Sequence, residues 1–462
     1  MFGRPRAERA PEAATIRWLL AGQLLMFCGI AAIFPVAPLY VEAHGGGPVA
    51  ASLFIAGALV ANAIVQAPAG KLVDRIGRRP FLLGGRIAFV VLSLAIFFLD
   101  FAPLWVLAVL RTAMGAASGV YIPALLATIT DLSAPERRAE RFSQLQAAEL
   151  VGLLVGPFVG GLIALWNVSA IFLASAIGVG AGVLAQRNVP ETKGWNVADR
   201  HAPPLGPGWW RHRGIIVASV GVAAVGAAFS MYDVVWPLFL NTRGASTLLI
   251  GISITLFAIP MLALATPGGR LSDRSDRRVV LGMCFAITAM TCATYPFLHS
   301  IPLIIGIGFI EAIGFVMCEP SLYATIGDSA PAEARGRAMG IGGTAQLAGS
   351  AFGAAALGSL YGVHEALPFW SASAILLSAA IVCAVALPPG QGRLRASAGS
   401  EAGSPVVGAL QHSDDARGAN VDRPVLAGQL HEVEALLADG EGGDGFGDLE
   451  LDEHIGAVHQ AK

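Results

Sequence analysis

Apolar segments of roughly twenty residues, about the length that crosses a hydrocarbon core, recur from residue 18 to residue 388 with short polar connectors between them. A backbone inside lipid must satisfy its own hydrogen bonds, so segments of this kind are helices. Twelve are read, at about 18–42, 48–69, 81–99, 103–130, 142–165, 168–186, 214–240, 246–267, 279–298, 301–327, 338–361 and 367–388. Charged residues make up 13% of the chain, roughly half the share of a soluble domain, which excludes a water-soluble enzyme or binding module.

One connector is densely charged. Gly70-Lys71-Leu72-Val73-Asp74-Arg75-Ile76-Gly77-Arg78-Arg79-Pro80 places one carboxylate and four cations between two spans. It returns as Gly269-Arg270-Leu271-Ser272-Asp273-Arg274-Ser275-Asp276-Arg277-Arg278, again between two spans. Pro123 and Asp131 likewise recur 197 positions later as Pro320 and Asp328. The chain is therefore a parallel repeat of two halves, related by an axis along the membrane normal.

The pattern G-x-L-x-D-R-x-G-R-R resembles the loop between helices two and three of major facilitator superfamily transporters, and its second copy the loop between helices eight and nine. The resemblance implies an all-α integral membrane fold, with twelve transmembrane helices in two pseudo-symmetric six-helix bundles and a polar C-terminal tail. The expected boundaries are 1–186 for the first bundle, 187–213 for a linker, 214–388 for the second bundle and 389–462 for the tail. Lys and Arg gather in the N-terminal stretch and in the loops after even-numbered spans, whereas the loops after odd-numbered spans hold only Arg243. By the positive-inside rule, both termini are expected in the cytoplasm of a cell whose inner membrane the chain spans.

The basic residues ahead of span one imitate a signal peptide, but the apolar run is too long and lacks a clear cleavage site, so it is read as a retained span. The tail carries 5 basic and 13 acidic residues and is expected to be mostly disordered, apart from a helical pattern at 424–438. The five cysteines all fall in apolar spans and read as small core residues. No nucleophile–base, metal or phosphate-loop pattern occurs, so no enzyme activity, cofactor or nucleic-acid partner is expected.

An ionisable group within a bilayer is costly unless paired or wetted, which makes each one a functional candidate. Arg111, about eight residues into span four, is too deep to snorkel easily; the alternative is a headgroup position at a misjudged boundary. Its context Arg111-Thr112-Ala113-Met114-Gly115 resembles the R-x-x-x-G pattern on helix four of proton-coupled facilitators, which implies a part in proton transfer. Glu149 in span five is either a proton site or a helix-end group; its repeat equivalent is Gln346. Asp233, with Phe229 and Trp236 a turn away, suits an amphipathic cation or else an interfacial aromatic belt. Glu311 and Glu319 on span ten are read as lining one broad face, and a carboxyl in apolar surroundings holds a proton that it yields when wetted. Span one carries no acid, only Gln23, which is expected to border the substrate cavity with Asp233, Phe229 and Trp236.

Gly152, Gly156, Pro157, Gly160 and Gly161 in span five make a flat face for close helix approach, whether as packing alone or as a pliable element. The pattern resembles the helix-five motif of antiporters. The resemblance further implies a cytoplasmic gate built from Gly70, Asp74, Arg75, Gly77, Arg78, Arg79 and Asp131, with Gly269, Asp273, Arg274 and Arg277 as its second copy. Asp74 is expected to meet the N-terminal end of helix eleven, near Arg337, in the outward-facing state. The function implied is export of a small organic molecule, cationic or otherwise drug-like, in exchange for protons, by a monomer working through alternating access. The alternatives are a proton-coupled uptake symporter and a transport-silent receptor acting through its tail.

Overall fold

The computed structural model describes residues 10–134, 137–193, 208–331 and 334–387, with the side chains of 10–13, 139 and 265–274 not described. Most of the expected linker and the whole expected tail lie outside these residues. The helices are α1 (Ala10–Ala31, resuming as Ala37–Ala43), α2 (Pro48–Ile76), α3 (Arg79–Phe98), α4 (Leu104–Asp131), α5 (Arg138–Ala164) and α6 (Ala170–Gln186). The second half holds α7 (Arg213–Thr242), α8 (Thr247–Arg274), α9 (Arg277–Thr294), α10 (Ile301–Ser329), α11 (Arg335–Phe352) and α12 (Leu367–Ala386). A π turn, Gly353–Leu357, prolongs α11. Among the described residues no strand occurs.

Ten of these helices are long and apolar enough to cross a membrane, and α6 is a shorter apolar helix. Lipid-side character shows in Phe101, Trp105, Trp166 and Phe297, each more than two-thirds exposed, at the end away from the charged connectors. Aromatic side chains favour that interfacial depth. The chain is a multi-pass membrane protein. The first span departs from its expected form: α1 starts earlier and breaks at Ala32–Val36, where Pro35 has no N–H to continue the ladder.

The main helix pairings of one half recur in the other, although α7 also packs on α10 where α1 has no such contact with α4. α1 packs on α5 and α6 as α7 packs on α11 and α12; α4 packs on α2 and α3 as α10 packs on α8 and α9. The halves themselves meet through α5 against α8 and α2 against α11. Thr247 Oγ1 donates to Gly161 O at 3.0 Å and Thr255 Oγ1 to Leu154 O at 2.8 Å. At the same end, a Cβ on Gly358 of the α11 continuation would lie 2.8 Å from Ser52 Oγ of α2. These links run from the end opposite the charged connectors to about 12 Å along α8.

The glycine stripe of α5 serves two neighbours. A Cβ on Gly152 or Gly156 would strike α1 at Phe27 or Ala31, both at 2.6 Å, while one on Gly161 would strike Thr247 O of α8 at 2.5 Å. Gly349 and Gly353 of the second half, 197 positions after Gly152 and Gly156, press in the same way on Ala223 and Ala227 of α7.

Candidate functional site

The connector between α2 and α3 is stitched to the segment after α6. Arg78 donates through Nε to Asp131 Oδ2 at 2.9 Å, and its guanidinium lies 3.3 Å from Asp74 Oδ1. Thr192 Oγ1 donates to the same Asp131 oxygen at 3.1 Å. Glu191 caps α3: it accepts from Arg78 N at 2.8 Å and Arg79 N at 3.0 Å, where the helix dipole favours a carboxylate. Gly77 makes the turn possible. Its φ of +139° disfavours other residues, and a Cβ there would meet the Glu191 carboxylate at 2.6 Å. Arg75 contributes its carbonyl, to which Lys193 Nζ donates, and Arg79 NH2 donates to Arg187 O. Gly70 lies beside Pro123 of α4.

In the second half, Arg277 pairs with Asp328 at 2.7 Å, matching Arg78 with Asp131. The cap differs. Asp276 stands where the first half has Gly77, and its own side chain accepts from Arg278 N at 3.0 Å. A local cap thus replaces one supplied by a distant segment. The side chains of Asp273 and Arg274, and the surroundings of Gly269, lie outside the described residues.

Partial burial acts to raise the Glu191 pKa, but the N–H groups of Arg78, Lys193 and Arg79 and the Arg78 charge outweigh it, so the carboxyl sits below its ordinary 4.5. A depressed folded-state pKa means stabilisation that is present above the ordinary value and is lost as pH falls through the lowered one. Glu191→Ala is expected to cost about 0.5–2 kcal/mol at neutral pH. Thermal unfolding in detergent checks this: the gap between native chain and variant should close in acid, and an equal gap at both pH values would refute the cap.

Deeper in the bundle, two half-buried acids end matching chains of hydrogen bonds. Glu149 accepts at Oε1 from Gln23 Nε2 at 2.7 Å, and Gln23 Oε1 accepts from Tyr121 OH at 2.6 Å. Glu319 accepts at Oε1 from Gln346 Nε2 at 2.9 Å, and Gln346 Oε1 accepts from Tyr323 OH at 2.9 Å. The first chain continues into Arg86, 1% exposed, whose NH2 donates to Gln23 Oε1 at 2.7 Å.

Glu311 is fully buried and apart from Glu319. Its Oε1 accepts from Tyr232 OH at 2.7 Å and its Oε2 from Tyr295 OH at 2.5 Å. The phenols belong to an aromatic cluster with Trp236, Phe239 and Phe369. The two acids of α10 therefore face different neighbours, Glu311 towards α7 and the residues after α9, Glu319 towards α11, rather than lining one surface together. Such an arrangement can hold or release a proton at an acid with no cation among its hydrogen-bond partners.

Arg111 of α4 and Asp233 of α7 come from opposite halves at similar depth, near enough for their charges to act on one another but without an ion pair inside 4 Å. The aromatic neighbours expected for Asp233 are divided. Trp236 is buried and donates to Ser253 Oγ at 2.9 Å, whereas Phe229 is part-exposed and edges onto Phe315 at 6.2 Å between centroids. Sequence reading passed over Arg86, Tyr121, Tyr232, Tyr295 and Glu191. A lone arginine six residues into span three was the available signal for Arg86, and the Pro190-Glu191-Thr192 step for Glu191. The tyrosines left none, because their partners lie on other helices.

The family model of the Major Facilitator Superfamily matches this chain twice, over residues 19–226 and 218–428. The chain belongs to that superfamily. It is thus a transporter and not an enzyme. Multidrug resistance protein 2 of Bacillus subtilis (strain 168) is 24% identical over 372 residues, covering 78% of this chain and 92% of that protein. A chloramphenicol resistance protein of Pseudomonas aeruginosa is 27% identical over 279 residues, 59% of this chain and 65% of that one. Among solved structures, a D-xylose–proton symporter superposes with a TM-score of 0.68 at 18% identity, covering 82% of this chain and 99% of the other. A bacterial homolog of the human lysosomal transporter Spinster, inward-facing and occupied, gives 0.65 at 14% identity over 82% and 96%. These two likenesses bear on the fold of this superfamily member alone.

Proposed function

We propose that this chain exports a small organic molecule, cationic or otherwise drug-like, in exchange for protons by alternating access. The observation that carries the reading is Glu311, an acid wholly buried within the second bundle and held by two phenols, with no cation among its hydrogen-bond partners in the described residues. Antiport requires a group of this kind, which binds a proton from one side and surrenders it to the other. The glycine–proline face of α5 supports the antiporter reading over symport, and the resistance proteins named above support a drug-like cargo.

In this reading both termini and the charged connectors face the cytoplasm, and the protein works as a monomer. The contacts of α5 with α8 and of α2 with α11 lie at the end away from the charged connectors, and they support reading that end as the closed, outer one. Asp74, 72% exposed and paired with Arg78, waits at the cytoplasmic gate for the N-terminal end of α11 in the outward-facing form. Arg111 and Glu319 assist Glu311 in moving the proton, and Asp233 and Gln23 border the substrate.

Inverted membrane vesicles test the reading. With an acid interior, they should accumulate a fluorescent cation or radiolabelled chloramphenicol, and nigericin should release it. Accumulation driven by an acid exterior instead would make the protein a symporter. Absence of flux with every compound, together with signalling lost on truncation at residue 390, would make it a receptor.

A further inference from the structure

The relay that ends at Glu149 has a part that its counterpart in the second half lacks. Arg86 of α3 is buried and reaches three acceptors: Gly22 O at 3.4 Å, Gln23 Oε1 at 2.7 Å and the Tyr121 hydroxyl. Its Cζ stands 4.1 Å over the Tyr121 ring. In the second half, the position 199 residues after Arg86 is Phe285, also fully buried, and among the described residues no arginine is hydrogen-bonded to the Glu319–Gln346–Tyr323 chain, which is built from other repeat positions.

A guanidinium donates and never accepts. The Gln23 atom facing it is therefore the carbonyl oxygen, and Tyr121 OH donates to that oxygen as well. With Oε1 so occupied, the Gln23 amide has one orientation, and its NH2 points at Glu149 Oε1. Glu149 accordingly always meets a donor at that oxygen. A proton or a ligand cation has only Oε2 to bind.

We infer that Arg86 is a positioning residue which, acting through Gln23, keeps Glu149 a carboxylate with one open oxygen, a seat for the ammonium-type group of a cargo rather than for the coupling proton. The inference deepens the proposed export and rests on it for the cargo, but the relay itself is measurable without transport. The groups around Glu149 are few. Gln23 comes from α1, with Tyr121 of α4 and Arg86 of α3 behind it, while Cys28 of α1 faces Gly152 and Gly156 further along α5; from α8, Thr255 meets α5 beyond the next turn at Leu154. Arg86 is the cation in that set, so losing it changes both the charge and the orientation of Gln23.

Infrared spectra of the purified chain in detergent at neutral pH read the acid directly. Glu149→Gln should remove a carboxylate stretching band. Arg86→Met should convert that band to the protonated carboxyl form, lowering the carboxylate-to-acid ratio by about tenfold, the effect of one charge-assisted hydrogen bond. Arg86→Lys, which keeps the charge and a donor, should preserve it. Gln23→Leu cuts the relay while leaving Arg86 on Tyr121, so it keeps the test decisive if Arg86→Met does not fold, and it should give the same conversion. An unchanged carboxylate band in both Arg86→Met and Gln23→Leu would overturn the relay, as would a Glu149 already protonated in the native chain. Vesicle flux reports separately, so failed antiport with a converted band would refute the transport reading and keep the relay.

Discussion

Glu311→Gln is expected to abolish pH-driven accumulation in vesicles while leaving substrate binding in place. The amide cannot take up or lose a proton, so it fixes the site in a neutral form. It also presents an NH2 where a carboxyl oxygen stood, so one of Tyr232 and Tyr295 loses its acceptor, at a cost of roughly 1–3 kcal/mol. That cost predicts a modest fall in thermal stability, distinct from the complete loss of coupling. Substrate-induced proton release in detergent is the direct measurement. Undiminished release from Glu311→Gln would remove Glu311 from the carrier role and pass it to Glu319 or Asp233. Tyr295→Phe, which deletes one donor and leaves the acid, should retain coupling with an altered pH profile.

The second large effect is expected on α5, where two substitutions separate packing within a half from contact between halves. A Cβ on Gly156 would lie 2.6 Å from Ala31 Cβ and 2.7 Å from Cys28 O, both on α1 of the same half. Gly156→Leu should therefore force α1 from α5, lower stability by about 1–3 kcal/mol and eliminate flux. Gly161 instead faces Thr247 O and the Gly251 backbone of α8, across the division between halves. Gly161→Leu should wedge open the outer end, eliminating flux with little change in the unfolding temperature of the bundle. Cross-linking of cysteines placed on the outer ends of α5 and α8 checks the difference. Equal cross-linking yields in Gly161→Leu and the native chain would show that the outer end still closes.

Several features were legible from local pattern. Span count follows from the recurrence of apolar length, because lipid demands an unbroken helix at each crossing. Duplication follows from the recurrence of Gly70–Arg79 as Gly269–Arg278 and from Pro123 and Asp131 as Pro320 and Asp328. The Arg78–Asp131 and Arg277–Asp328 pairs sit in that repeated frame, so their residue types stood out before any partner was known.

The partnerships that give the acids their roles belong to the tertiary structure. Glu311 and Glu319 share α10, and helical spacing alone put them on one broad face. Tyr232 and Tyr295 draw one inward, whereas Gln346 claims the other from α11. Arg86, Gln23, Tyr121 and Glu149 come from four different helices, and no spacing along the chain relates them. Glu191 caps a helix that begins more than a hundred residues earlier. The physical reason is common to all three. Helix formation in a membrane is decided within each segment, by its own backbone hydrogen bonds, and can be read from twenty residues at a time. Whether a buried acid is wetted, paired or shielded depends on side chains from helices that meet only when the bundle packs.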